Sequence, residues 1–131
     1  MIRVFIVDDH PVVIEGIHSL LKNEKDIAWV GQAMNAQSCI GFFVNNTADV
    51  VLMDISMPGM DGIDLCRRLR ERKRTQPVIL FSAMVQPTDR HYVLDAGANE
   101  FLIKPKDLDI FVPTVERLLG IERVGGGTMI D

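Results

Sequence analysis

Two hydrophobic periodicities alternate along the 131-residue chain. Five short runs are apolar almost throughout and rich in β-branched residues, which is typical of strands buried on both faces of a parallel sheet. These runs are Ile2–Val7, Ile27–Gly31, Val50–Met53, Val78–Phe81 and Glu100–Ile103. The intervening segments and the last one place apolar residues three and four positions apart, most clearly from Leu108 to Leu119, as amphipathic helices do. Five strands alternating with five helices predict an α/β fold, a doubly wound five-stranded parallel sheet with helices on both faces.

Proline and glycine positions agree with these boundaries. Pro11 suits the first turn of the first helix, where its missing N–H costs nothing, and Gly97 suits a left-handed position at a helix C-terminus. Pro113 is tolerable only near the first turn of the last helix, so that helix is expected to begin near Asp109 or to be kinked. We predict one domain over residues 1–121 and a flexible Gly-rich linker or tail over residues 122–131.

The composition is that of a single soluble globular domain. Hydrophobic residues make up 47% and charged residues 24% of the chain, no apolar run is long enough for a membrane helix, and no secretory signal precedes the first strand. The net charge of −4 argues against nucleic-acid binding by this chain alone, so the basic run Arg67–Arg74 is interpreted as a solvated helix face. Cys39 and Cys66 are expected to be reduced packing residues, and the predicted location is cytoplasmic.

Charged or hydroxyl side chains follow four of the five predicted strands. Asp8 and Asp9 follow the first strand, Asp54 the third, Ser82 the fourth and Lys104 the fifth. Each alone has an ordinary explanation as a cap, a turn residue or a solvated charge, but parallel strands bind ligands at their carboxyl ends, where these side chains are expected to meet. Three converging carboxylates repel one another unless a hard cation such as Mg²⁺ lies between them. A cation, a lysine and a hydroxyl at one edge suit a phosphoryl group.

Four motifs resemble the receiver domain of bacterial two-component response regulators. They are Val7-Asp8-Asp9-His10, the segment from Leu52 to Gly62, Ser82-Ala83 and Lys104-Pro105. The resemblance covers residues 2–120, and the Asp-Asp-His-Pro opening, with Gly16 after it, resembles the NarL/FixJ (LuxR-type) subfamily in particular. The resemblance implies a flavodoxin-like receiver fold with the strand order 2-1-3-4-5.

The resemblance also implies a phosphoacceptor and a metal. Asp54 is expected to accept a phosphoryl group from a phosphohistidine. Mg²⁺ is the expected cofactor, bound directly by Asp9, by Asp54 and by the backbone carbonyl of Ser56, while Asp8 acts through a bound water or helps to hold the metal. His10 is expected to cap the first helix or to lie at the rim of the site rather than to contact the metal.

Four other residues complete the expected switch. Lys104 is expected to pair with the phosphoryl oxygens, and Ser82 is expected to move toward one of them and form a hydrogen bond. Phe101 is the expected aromatic switch residue, which turns inward to fill the void that Ser82 leaves. Met84 is expected to shield the phosphorylated aspartate from water.

The implied function is a signalling switch that catalyses only its own phosphorylation and dephosphorylation and is not otherwise an enzyme. Its expected partners are a sensor histidine kinase and, after phosphorylation, a second copy in a homodimer; no membrane contact is expected. The subfamily implies a transcription regulator that binds DNA only through a C-terminal helix-turn-helix domain missing from this chain.

Two alternatives stay open at this point. One is a metal-dependent phosphatase with an aspartyl nucleophile, although such enzymes usually have a second Asp where this chain has Ser56. The other is a binding module that has lost phosphorylation, which the complete set of Asp9, Asp54, Ser82 and Lys104 disfavours.

Overall fold

The computed structural model describes residues 1–57, 59–82, 89–103 and 109–120, in which strands and helices alternate strictly. The strands are β1 (Ile2–Val7), β2 (Ile27–Ala33), β3 (Val50–Asp54), β4 (Val78–Ser82) and β5 (Glu100–Ile103). The helices are α1 (Pro11–Lys22), α2 (Ala36–Asn45), α3 (Gly62–Glu71), α4 (Asp89–Asp95) and α5 (Phe111–Leu118). All five predicted strands are present. Three extend further than expected: β2 by two residues, and β3 and β4 by one residue each, so that Asp54 and Ser82 are the last residues of regular strands.

The strands form one parallel sheet in the order β2-β1-β3-β4-β5, which confirms the expected doubly wound fold. The strand order reverses between β1 and β3, and open parallel sheets bind ligands at such a reversal. Val7 pairs with Met53, and Asp54 pairs with Phe81, so β1, β3 and β4 end at the same edge of the sheet.

Two hydrophobic cores cover the two faces of the sheet. One core packs α2, α3 and α4 against the sheet through buried residues such as Phe43, Leu69 and Val93. The other packs α1 and α5 against the opposite face, with Ile17 and Phe111 completely buried. Burial of β3 on both faces explains why its sequence is apolar up to Asp54.

The helix ends follow the expected proline and glycine chemistry. Pro11 opens α1, and Pro113 lies in the first turn of α5, where an N–H has no partner within the helix. Gly97, after α4, has φ +103°, a left-handed conformation that favours glycine. Within the described ranges, no helix is long and apolar enough to cross a membrane. The expected tail, residues 122–131, lies outside the described residues.

Gly62 allows α3 to begin directly beside the end of β3. The N–H of Gly62 donates to the carbonyl of Ile55 at 2.9 Å, and Asp61 caps the helix by accepting from the N–H of Asp64 at 2.9 Å. A Cβ atom at position 62 would lie 2.2 Å from the backbone oxygen of Asp54. Only glycine therefore permits this close approach between the helix and the strand that ends in Asp54.

Arg70 ties the C-terminal end of α3 to the beginning of β4 and β5. Its guanidinium donates to the carbonyl oxygens of Arg74, Gln76 and Gly97 at 2.7–2.9 Å and to Oδ1 of Asn99 at 2.9 Å. The same Oδ1 atom accepts the N–H of Val78, the first residue of β4, at 3.0 Å. These contacts supply hydrogen bonds to carbonyl groups in the turns, which have no partner within a strand or helix.

The interpretation of the basic run as a solvated face is therefore wrong for two of its members. Arg70 is half-buried in the network just described, and Arg74 donates to the backbone oxygen of Phe43 on α2. The other basic side chains of the run are exposed, as expected: Arg67, Arg68, Arg72 and Lys73.

Replacing Gly62 with Ala is expected to lower the free energy of unfolding by about 1–3 kcal/mol, because the added methyl group meets backbone atoms that cannot turn aside. Urea denaturation measures this loss. Gly41→Ala is the matched control, since its Cβ would meet nothing within 4 Å and it lies inside α2; it is expected to be neutral or stabilising. Equal effects of the two substitutions would contradict the proposed steric role of position 62.

Replacing Arg70 with Ala is expected to lower the free energy of unfolding by about 1.5–3 kcal/mol, because half-buried carbonyl groups lose a charged donor. Arg72→Ala, which removes an exposed guanidinium from the same run, is expected to change stability by less than about 0.5 kcal/mol. Urea denaturation of both variants makes the comparison. Similar losses of stability in the two variants would mean that Arg70 contributes through its positive charge alone and not through these hydrogen bonds.

Candidate functional site

Three carboxylates meet at the carboxyl-terminal edge of the sheet. Asp8 and Asp9 follow β1, and Asp54 ends β3. Because Val7 pairs with Met53, the residues after them leave the sheet side by side. Asp8 and Asp54 are fully buried, whereas the side chain of Asp9 is 25% exposed. The structure thus brings together the three acidic residues that the sequence predicts for the site.

The turn after Asp54 is held by the backbone. The N–H of Ile55 donates to the carbonyl of Phe81 on β4 at 3.0 Å. The N–H of Ser56, two residues after Asp54, donates to Oδ1 of Asp54 at 3.2 Å, and this hydrogen bond orients the carboxylate. Ser56, whose backbone carbonyl is an expected metal ligand, is exposed.

His10 is the N-cap residue of α1 and is largely exposed, which agrees with the expected position before the helix or at the rim, but its ring also belongs to this cluster. Its side chain is 57% exposed and forms no capping hydrogen bond to α1, but the ring lies over the carboxylates. Nδ1 is 2.9 Å from Oδ1 of Asp8, 2.9 Å from Oδ1 of Asp9 and 3.7 Å from Oδ2 of Asp54. The missed signal was its position immediately after the Asp8-Asp9 pair, where the turn into α1 folds the ring back over both acids.

The donor set fits a divalent cation. One potential ligand atom from each of Asp8, Asp9, His10 and Asp54 lies within 4.8 Å of all the others. An ion with bonds of about 2.1 Å places opposing ligands about 4 Å apart, so only a small contraction is needed. Oδ1 of Asp9 is buried and accepts no hydrogen bond from the described residues, although His10 Nδ1 is near it. Buried carboxylate oxygens of this kind are the ligands that hard cations prefer.

Ser82 ends β4 at the same edge of the sheet as Asp54. It is 4% exposed and follows Phe81, the residue that pairs with Asp54. Ser82 also pairs with Ile103, the last residue of β5. Ser82 therefore lies on the strand next to β3, one residue beyond the partner of Asp54 and at the expected edge of the sheet. Lys104 and Met84, which the sequence also assigns to the site, lie outside the described residues.

Phe101 is buried beside β4. It pairs with Leu80, is 8% exposed and belongs to the same core as Val93 of α4. Its N–H donates to Oε1 of Glu100 at 3.0 Å, and Oε2 of Glu100 lies 2.6 Å from Nη2 of Arg117 on α5. Phe101 thus lies on a strand that contacts both α4 and α5.

The two cysteines are packing residues, as expected. Both are completely buried, and burial raises the pKa of the Cys39 thiol to about 12. Burial also raises the pKa of Cys66, although the nearby charges of Arg70 and Arg67 act in the opposite direction. A raised thiol pKa disfavours the nucleophilic thiolate, so neither residue is a candidate for covalent chemistry.

Comparison with known proteins agrees with this geometry. The family model for the response regulator receiver domain matches residues 4–116. The nitrate/nitrite response regulator protein NarL of Escherichia coli K12 is 32% identical over 108 residues, which are 80% of this chain and 50% of that protein. The transcriptional regulatory protein LiaR of Bacillus subtilis is 34% identical over 108 residues, 79% of this chain and 49% of that protein. The chain therefore spans about half the length of these relatives.

A solved structure shows the same fold at a similar level of identity. The receiver domain of the response regulator NarL from Mycobacterium tuberculosis is 30% identical, with a TM-score of 0.83, over 91% of this chain and 96% of that chain. The sheet order, the acidic edge and these relatives agree with one another. The chain belongs to the response regulator receiver domain family and is the receiver domain of a two-component response regulator of the NarL type.

Proposed function

We propose that Asp54 is the phosphoacceptor of this receiver domain and that a sensor histidine kinase is the phosphodonor. The observation that supports this role is the placement of Asp54: it is fully buried, ends the central strand and has a carboxylate oxygen within 4.8 Å of ligand atoms from Asp8, Asp9 and His10. A cluster of this kind stabilises charge that develops near one carboxylate.

The transfer is an in-line displacement at phosphorus. An oxygen of the Asp54 carboxylate forms the new P–O bond while the P–N bond to the kinase histidine breaks, and the imidazole leaves with the electron pair. The N–H of Ser56 donates to Oδ1 of Asp54 at 3.2 Å, which leaves Oδ2 as the oxygen directed toward the acidic cluster. Burial restricts the reaction to this one edge of the sheet.

We infer that Mg²⁺ is the cofactor, held by Asp9, by Asp54 and by the backbone carbonyl of Ser56, with Asp8 bound through a water. When bound, Mg²⁺ neutralises charge on the phosphoryl oxygens and on the carboxylates. Asp8 and Asp9 are kept in place by β1, and Asp54 is kept in place by β3, so the ligands are organised by the sheet itself.

Ser82 and Lys104 are proposed to bind the oxygens of the phosphorylated Asp54. Phosphorylation adds charge and acceptor oxygens at the end of β3. Ser82 responds by moving toward them, and Phe101, which pairs with Leu80 one row below, fills the space released beside β4. Because β5 contacts α4 and Glu100 bonds to Arg117, this rearrangement alters the surface formed by α4, β5 and α5.

We propose that the output of the whole regulator is transcription control. Two relatives are named as a nitrate/nitrite response regulator and as a transcriptional regulatory protein, and this chain covers about half of each. A helix-turn-helix domain would bind DNA in such a regulator, and a phosphorylation-dependent homodimer would present two copies of it to DNA. In this proposal the domain itself is a switch whose only catalysis is its own phosphorylation and dephosphorylation. Its cytoplasmic location stays a prediction.

Incubation with acetyl phosphate and Mg²⁺ is expected to add one phosphoryl group to the protein, and peptide mass spectrometry is expected to locate it on Asp54. Asp54→Asn is expected to abolish the modification, because an amide oxygen is a far weaker nucleophile than a carboxylate. Chelation with EDTA is expected to prevent it in the unaltered protein.

The matched control is Asp26→Asn, which removes an exposed carboxylate before β2 and is expected to leave phosphorylation unchanged. A phosphoryl group on any other residue, or modification that continues in Asp54→Asn, would show that the phosphoacceptor is assigned wrongly. Modification that resists EDTA would contradict the proposed metal requirement.

A further inference from the structure

The ring of His10 occupies a particular place over the acidic cluster. Its Nδ1 atom is the same distance, 2.9 Å, from carboxylate oxygens of two different residues, Asp8 and Asp9, and is 3.7 Å from Oδ2 of Asp54. The carboxylates lie below the ring, and the ring lies on the solvent side, with 57% of the side chain exposed. The nitrogen is therefore directed inward, toward the space that the acids share.

We propose that His10 is a metal-specificity residue: its Nδ1 atom serves as a nitrogen ligand and makes the site favour later first-row transition ions such as Co²⁺ over Mg²⁺. This inference rests on the proposed function, because it concerns the same cation site. Mg²⁺ prefers oxygen ligands, whereas imidazole suits the later transition ions. A site that offers only carboxylate oxygens has no nitrogen ligand with which to distinguish these ions from Mg²⁺.

The observed distances match those between ligands of one ion. Two ligands at right angles around an ion with bonds of about 2.1 Å lie about 3 Å apart, and opposing ligands lie about 4 Å apart. The nitrogen of His10 is 2.9 Å from Asp8 and Asp9 and 3.7 Å from Asp54, within this range. With the proton on Nδ1, the ring can donate to Oδ1 of Asp8; the other tautomer, with the proton on Nε2, presents a lone pair to the same space.

The His10 ring can be removed without removing a structural contact of α1. The ring makes no capping hydrogen bond. The backbone carbonyl of His10 accepts from the N–H groups of Val13 and Ile14, and its own N–H donates to Oδ1 of Asp8 at 2.8 Å. These backbone contacts persist in any variant, so the folded state is expected to survive the substitution.

The experiment compares Mg²⁺ and Co²⁺ binding by calorimetry in the unaltered protein, in His10→Phe and in His18→Phe. Phe keeps an aromatic ring but supplies no nitrogen. His18 is an exposed histidine on the same helix that contacts Trp29, so it controls for loss of an imidazole away from the site. His10→Phe is expected to weaken Co²⁺ binding about tenfold or more while Mg²⁺ binding stays the same. His18→Phe is expected to change neither affinity.

A second measurement detects the ligand directly. Mn²⁺ bound to the unaltered protein is expected to show ¹⁴N modulation in its electron spin echo, and the signal is expected to disappear in His10→Phe and to persist in His18→Phe. Persistence of the signal in His10→Phe would assign the nitrogen to another residue and overturn the inference.

The outcomes separate this inference from the proposed function. If the unaltered protein binds no divalent ion, or if Asp54→Asn binds Mg²⁺ as tightly as the unaltered protein does, the proposed metal site fails. If that site holds but His10→Phe weakens Mg²⁺ and Co²⁺ equally, or neither, His10 does not select the metal. A gain in both affinities would identify the ring as a competitor for the cation space and would likewise overturn the inference.

Discussion

The confinement of three carboxylates at one edge of a buried sheet is the constraint on which the other features of the site depend. Asp8 and Asp54 are fully buried, and like charges at such a short separation in a protein interior oppose folding. The sheet overcomes this cost because β1 and β3 are locked in parallel register between two hydrophobic cores. The carboxylates are therefore held close together, and a bound cation would relieve their repulsion.

The scaffold and the site are connected through backbone rather than through long side chains. Gly62 lets α3 start against the carbonyl of Asp54, and the turn between them is held by hydrogen bonds from Ile55 and Ser56. The carboxylate of Asp54, the proposed phosphoacceptor, is thus attached to the end of the central strand and to a hydrogen-bonded turn. Such preorganisation is valuable in phosphoryl transfer, where positioning and charge stabilisation supply most of the catalysis.

The sequence was most informative where a single strong pattern determines the structure. Apolar runs gave the five strands and the two covered faces, and polar residues at strand ends gave Asp8, Asp9, Asp54 and Ser82. These predictions succeed because parallel strands end at one edge whatever their side chains are. The roles assigned to the residues, by contrast, came from family resemblance and stay predictions.

The sequence was least informative for side chains whose partners are distant in the chain. The role of Arg70 depends on carbonyl groups and an amide up to 29 residues away, and a local count of charges cannot identify them. The contacts of the His10 ring were missed for a different reason, since a position before a helix does not reveal whether the ring caps the helix or folds back toward Asp8 and Asp9. Only the geometry of the turn distinguishes the two.

The Arg70 network has a mechanical consequence. All its bonds lie at the starting ends of β4 and β5, near Val78, Gly97 and Asn99, whereas Ser82 and Ile103 lie at the finishing ends of the same strands. The network therefore anchors the starting end of each strand and makes no contact with its finishing end. This anchoring favours a tilt of the two strands about the Arg70 network for any displacement beside Asp54, with an amplitude that grows with distance from Arg70.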